Sequence, residues 1–219
     1  MEKEMIIHVW VDITCPWSWI GVRRLQEGIA KSGKSALVEY HSYQLQADAP
    51  GVTSLSLIDY LADIWEKSPA EVKKQLADIS DIGAECGINF NWESVQPVNS
   101  FLAHQLLRAA QNSAPNLEVA AAQGQEMLNR LWKAYFQDGD NISDTYTLLN
   151  IAEAAGLDRE QAEIDFESGE YADEVRADLH AAETLGISGV PFFLLADKYA
   201  IEGAQSAQVF AEAIAALSS

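Results

Sequence analysis

Cysteine is scarce in this chain: Cys15 and Cys86 are the only two among 219 residues. Two distant thiols can build neither a disulfide framework nor a Cys-rich zinc site, and so low a count suits a reducing compartment. Basic residues are also few, 14 Lys and Arg against 33 Asp and Glu, for a formal net charge of −19. Arg23-Arg24 and Lys73-Lys74 are isolated pairs. With no basic patch, a polyanion is repelled by phosphate backbones and anionic lipid, so neither nucleic acid nor a membrane surface is expected as a partner. No stretch approaches the ~20 apolar residues of a membrane span. Residues 1–9 carry acidic groups among their few charges and lack the layout of a secretory signal, so a cytoplasmic location is the expectation. The histidines His8, His41, His104 and His180 show neither H-x3-H nor H-E-x-x-H spacing, and no metal ligand set is read from them.

What is present is a β-α-β start. Residues 5–12 and 36–45 are short apolar runs, and Val22, Leu25 and Ile29 keep helical spacing between them. Thr14 or Cys15 can cap that helix, with Pro16 at its first position, where a missing N–H costs nothing. From residue 53 to about 169 the pattern is helical. Ser68-Pro69-Ala70-Glu71 is a capping box opening a stripe of Val72, Leu76, Ile79, Gly83 and Cys86. Asn99 can cap a helix through Leu107, and Met127, Leu128, Leu131, Trp132, Tyr135 and Phe136 share one face of another. Residues 143–155 form a further helix, and Asp158-Arg159-Glu160-Gln161 is a second capping box. After a helix over 171–185 come two strands, 192–196 and 199–202, turning at Asp197-Lys198. Gly203-Ala204-Gln205 then starts a last helix with Val209, Phe210, Ala213, Ile214 and Leu217 inward. The order predicts an α/β fold with a helical insertion, divided into residues 1–52 with 171–219, and 53–170.

A thiol on the first turn of a helix faces unpaired backbone N–H groups and the positive end of the helix dipole, both of which favour thiolate. Cys15 therefore reads as a sulfur more reactive than a free cysteine, against the alternative of a small buried residue at a strand end. Cys86, on the apolar stripe, reads as a core thiol rather than a redox partner.

Cys15-Pro16-Trp17-Ser18-Trp19-Ile20-Gly21 resembles the CPWC-(Y/W)-I-G segment of DsbA-like oxidoreductases of the FrnE branch. Ser188-Gly189-Val190-Pro191-Phe192-Phe193 is similar to that family's cis-proline loop. Asn99-Ser100-Phe101-Leu102-Ala103-His104, Lys133-Ala134-Tyr135-Phe136, Asn141-Ile142-Ser143-Asp144 and Gly203-Ala204-Gln205 resemble further family segments in the same order. The resemblance spans nearly the whole chain and implies a thioredoxin-like fold with a large all-helical insertion, and thiol-disulfide chemistry on a disulfide-bearing protein or a small thiol. It implies Cys15 and Pro191 as catalytic residues, with Ser18 donating a hydrogen bond to the sulfur. Pro16, Trp17, Trp19, Val190, Asn99, His104, Gly203, Ala204 and Gln205 are the candidate substrate-binding residues. Trp17 and Trp19 can serve as packing or as a flat substrate wall. His104 can line the groove or bond within the core. The Gly203-Ala204-Gln205 turn can cap its helix or take a carboxylate such as that of glutathione.

The chain departs from the family at Ser18, where a resolving cysteine is usual. Serine forms no S–S bond, so a dithiol cycle at this motif is excluded. Three accounts stay open: a monothiol enzyme whose adduct is resolved by glutathione as co-substrate, a relative without turnover, or an introduced Cys-to-Ser change. No bound cofactor is expected. Relatives sharing the scaffold, the kappa-class glutathione transferases and 2-hydroxychromene-2-carboxylate isomerases, carry Ser at the first motif position, so Cys15 argues against their glutathione chemistry. A non-catalytic peptide or small-molecule binder is the remaining alternative.

Overall fold

The computed structural model describes residues 5–51 and 53–217; the charged start read above, residues 1–4, lies outside the described residues. Strand β1 (Met5–Val11) leads through a short turn into α1 (Pro16–Ser32), which returns the chain to β2 (Ala36–Ser42), parallel to β1. Strand β3 (Phe192–Leu195) pairs antiparallel with the other edge of β1, and β4 (Tyr199–Glu202) pairs antiparallel with β3. The order β2-β1-β3-β4, flanked by helices, is a thioredoxin-like sheet.

Side chains alternate across a strand, and here the alternation separates two environments. Ile7 and Val9, with Phe193 and Leu195 opposite, are fully buried in the main core. Helix α9 (Ala207–Leu217) closes this side, where Phe193 meets Phe210 edge to face and Gly28 of α1 lets Phe210 Cβ and the Ala207 carbonyl approach. His8 and Trp10 point the other way. Trp10 packs with Phe192 and with Ala182 of α8 (Ala172–Thr184).

Between β2 and α8 the described residues form α2 (Leu57–Ile64), α3 (Pro69–Glu85), α4 (Phe101–Asn112), α5 (Leu117–Lys133), α6 (Thr145–Ala154) and α7 (Arg159–Ser168). Helix α5 continues as a π-helical turn, Ala134–Asp138. The insertion shares its core with the sheet layer: Trp19 of α1 stacks on Trp132 at 6.0 Å and on Phe136 at 6.2 Å between ring centroids. Fully buried side chains such as Trp132, Phe136 and Leu106 each contribute about 1.5–3 kcal/mol of hydrophobic stabilisation or more.

Local chemistry accounts for the helix boundaries and for where they move. The Ser68 box forms in both halves. At Asp158 only one half forms, because the Gln161 side chain bonds Asp165 one turn on instead of returning to the cap. Helix α4 runs past Leu107 to Asn112, and Asn99 acts one residue outside it, accepting from the Phe101 N–H. The last helix begins at Ala207, not at Gly203, whose φ of 73° is left-handed and cannot start a helix. Val209 faces solvent, since the buried stripe of α9 is Ala207, Phe210, Ala211 and Ile214. The β3–β4 turn sits one residue early, with Ala196 and Asp197 at φ 52° and 57° and Lys198 N–H donating to Leu195 O.

Candidate active site

Cys15 occupies the N-cap of α1, with extended backbone and Pro16 at the first helical position. Its thiol donates to the Val190 carbonyl at 3.5 Å, and the Val190–Pro191 bond beside it is cis. Sequence positions 175 residues apart thus meet at one sulfur. Gly21 makes this approach feasible: a Cβ there would lie 2.6 Å from Pro191 Cγ. Pro191 is held from behind by Gly203 N–H, which donates to its carbonyl at 2.8 Å.

The expected activation of the thiol by the helix end is overturned by burial. Cys15 is 3% exposed. Desolvation pushes its pKa up to about 11; hydrogen bonding from the Ser18 side chain and backbone, and from the Trp17 backbone, opposes this, while the charge of Asp12 reinforces it. At neutral pH the resting sulfur is a thiol. Ser18 is fully buried beneath it, and its hydroxyl also accepts the Asp12 N–H at 3.3 Å.

Asp12 is a site residue that the sequence pattern did not single out. It directly follows β1, three residues before Cys15, and is completely buried. Its oxygens accept from Thr14 N–H at 3.1 Å and Leu45 N–H at 2.8 Å, and face His104 Nε2 at 3.5 Å. Burial pushes the carboxyl up, but His104 and the two amides outweigh it and hold the pKa below the usual carboxylate range. His104, also fully buried, is therefore the partner of Asp12 and lines no groove.

In front of the sulfur opens a cavity of about 360 Å³. Cys15, Pro16, Trp17, Gly189 and Val190 form one side of it. Leu57, Tyr60, Leu61 and Ile64 of α2 line it too, with Trp65, Trp92, and Tyr135 and Phe136 from the π-helical turn. The amphipathic spacing of α2 was the available sign of this apolar wall, but only folding brings it opposite Cys15.

Several expected binding residues are elsewhere. Trp19 is core, stacked between Trp132 and Phe136, because the helical turn that exposes Trp17 carries Trp19 inward. Asn99 is an anchor rather than a wall. Its amide donates to Ala47 O at 2.9 Å and Ala49 O at 3.2 Å, its N–H to Pro50 O, and its carbonyl accepts from Gln44. Ser143 and Asn141 bond Gly51 O, so the motif residues pin the 44–51 loop whose Leu45, Gln46 and Ala49 line the cavity. Gly203, Ala204 and Gln205 do not line it either: their groups serve Pro191, Arg24 and Glu202. Cys86 is free, as is Cys15. It is half-buried at the end of α3, packed against the edge of the core that its stripe suggested and also lining a separate cleft with Arg23, Gln26 and Glu27.

Comparison with known proteins agrees with this geometry. The family model for the DSBA-like thioredoxin domain matches residues 6–215. The uncharacterized protein YwbO of Bacillus subtilis is 28% identical over 211 residues, 95% of this chain and 94% of that protein. A probable DsbA oxidoreductase from Streptomyces coelicolor superimposes with a TM-score of 0.86 and 27% identity, covering 98% of this chain and 90% of its own. The cytosolic disulfide reductase DsbM from Pseudomonas aeruginosa, solved with GSH, shares the fold with a TM-score of 0.63 and 17% identity over 97% of this chain and 98% of its own. Among the described residues no helix is long and apolar enough to cross a membrane.

Proposed function

Because the chain belongs to the DSBA-like thioredoxin domain family, we propose that it is a cytoplasmic thiol-disulfide oxidoreductase that works through one sulfur, Cys15. The observation carrying this reading is the Cys15 thiol at the tip of α1, 3.5 Å from the Val190 carbonyl and open to an apolar cavity. The low cysteine count fits a reducing compartment.

The reaction is two thiol exchanges. Cys15 releases its proton to solvent, and its thiolate attacks one sulfur of a disulfide R–S–S–R′. The Cys15–S–S–R bond forms as R′–S⁻ leaves and takes up a proton. Ser18 offers no second sulfur, so the thiolate of an external thiol such as glutathione attacks the R sulfur. R–S–S–G departs and the Cys15 thiolate is restored. Val190 offers its backbone to an extended peptide or glutathione lying beside the sulfur, and Trp17 and the α2 wall receive an apolar group. The Ser18 hydroxyl assists by hydrogen bonding the thiolate. That the related-fold disulfide reductase DsbM was solved with GSH supports glutathione as the external thiol.

Treatment with oxidised glutathione followed by mass spectrometry tests the proposal. One glutathione adduct on Cys15, removed by excess thiol, is the expected result. Labelling of Cys86 with Cys15 untouched would sink it.

The apolar lining of the cavity supports a second reading, glutathione-dependent isomerisation or conjugation of a small hydrophobic compound. An activity of that kind surviving Cys15→Ala would favour it over disulfide exchange.

A further inference from the structure

On the sheet face opposite α1 and α9, the parallel register sets His8 beside Glu39 and Trp10 beside His41. Three donor groups converge there. His8 Nδ1 lies 3.0 Å from His41 Nε2 and 3.3 Å from Glu39 Oε2, and the ligand atoms of all three residues lie within 4.8 Å of one another. Donors each about 2.0–2.1 Å from one tetrahedral ion sit roughly 3.3–3.4 Å apart, and His8 Nδ1 stands close to that separation from both its partners.

The second nitrogen of each ring is engaged by a carboxylate. His8 Nε2 faces Asp197 Oδ1 at 3.3 Å, and His41 Nδ1 faces Asp178 Oδ1 at 2.9 Å. A carboxylate behind a metal-ligating imidazole fixes its tautomer and orientation and raises its basicity. If both outer nitrogens donate, both inner nitrogens turn lone pairs toward each other at 3.0 Å, and a cation between them relieves the repulsion. Trp10 stacks on the His41 ring at 4.5 Å and holds its plane. Arg108 is paired with Asp178 and lies 3.2 Å from His41 Nδ1.

We propose that His8, His41 and Glu39 form a binding site for a divalent transition-metal ion of the zinc class, joining β1 to β2 with a further coordination position open to water. Two imidazoles and one carboxylate favour such ions over Mg²⁺ or Ca²⁺, which take oxygen donors. None of the three residues lines the Cys15 cavity, so the site stands apart from the disulfide chemistry.

Titration of the metal-free full chain with ZnCl₂ by calorimetry, and with CoCl₂ by visible absorption, tests the site. One equivalent is expected to bind, with a cobalt spectrum lacking thiolate charge transfer. Glu39→Gln and His8→Gln are expected to weaken binding at least about tenfold with an unchanged circular dichroism spectrum. Glu39 is half-exposed, so its variant is expected to fold. Absence of zinc binding would overturn the proposal, as would affinity indifferent to both substitutions or a thiolate band pointing to Cys15 or Cys86. In those cases a shared proton alone accounts for the paired imidazoles.

Discussion

Cys15 and Asp12 are bound into one buried unit: Ser18 accepts the Asp12 N–H, hydrogen-bonds the Cys15 sulfur, and leaves the Asp12 carboxylate to His104. The charge of Asp12 and the burial of the thiol both raise the Cys15 pKa, and the Ser18 contacts lower it. Reactivity at this sulfur is therefore a balance that single substitutions shift in a known direction.

The alkylation rate of Cys15 is expected to climb about tenfold per pH unit from 7 to 10, following the thiolate fraction, where a free cysteine, with an ordinary pKa of 9.0, begins to level off above pH 9. Ser18→Ala removes a hydrogen bond to the thiolate and moves the profile to higher pH. Ser18→Cys restores a second sulfur three residues on, and oxidised glutathione is then expected to leave an internal disulfide with no retained adduct. Iodoacetamide kinetics and intact mass read both.

Alkaline stability follows with a definite sign. The folded chain holds the Cys15 proton more tightly than the unfolded chain, with a pKa near 11 against an ordinary 9.0. The stabilisation is complete below about pH 9 and is lost as pH rises through 11. Burial raises Tyr40 and Tyr135 too, with the same sign. Urea unfolding at pH 8, 10 and 11 should show a decline that Cys15→Ala reduces by roughly 2–3 kcal/mol.

His104→Ala removes a buried partner of Asp12 and leaves its carboxylate to the Thr14 and Leu45 amides, and a loss of about 1–3 kcal/mol is expected. Adding Asp12→Asn should recover part of it. A double-mutant cycle in urea that came out additive would refute the pairing.

Gly21→Ala sets a methyl group 2.6 Å from Pro191 Cγ and 3.1 Å from Phe193 Cζ, inside contact distance. Overpacking of this kind costs about 1–3 kcal/mol. It should also displace the Val190 carbonyl from the sulfur, slowing glutathione adduct formation more than alkylation by small iodoacetamide.

Asn99→Ala releases the Ala47 and Ala49 carbonyls through which the 44–51 loop is tied to the start of α4. Binding of an apolar fluorophore in the cavity is expected to weaken several-fold, with Cys15 alkylation unchanged. Equal loss of both would assign Asn99 to the chemistry instead of the loop.

Much of this could be read in advance because it is local. A proline after Cys15 starts a helix, a Ser-Pro-Ala-Glu box starts another, and alternating apolar residues make β1. Such signals act within a few residues, where backbone geometry and hydrogen-bond supply decide. Motif resemblance added the meeting of Cys15 with the Val190–Pro191 turn. Roles fared worse than positions: Trp19, Asn99 and His104 lie near the site as expected but pack, anchor and pair beneath it.

The amino-acid order on its own specified the succession of helices and strands, that the chain is acidic, and that the motif carries one sulfur rather than two. Whether that sulfur is ionised, which walls enclose it, and that His8, Glu39 and His41 converge came from packing. The reason is that desolvation and the spacing of charges are properties of assembled surfaces. No window along the chain contains the neighbours that create them.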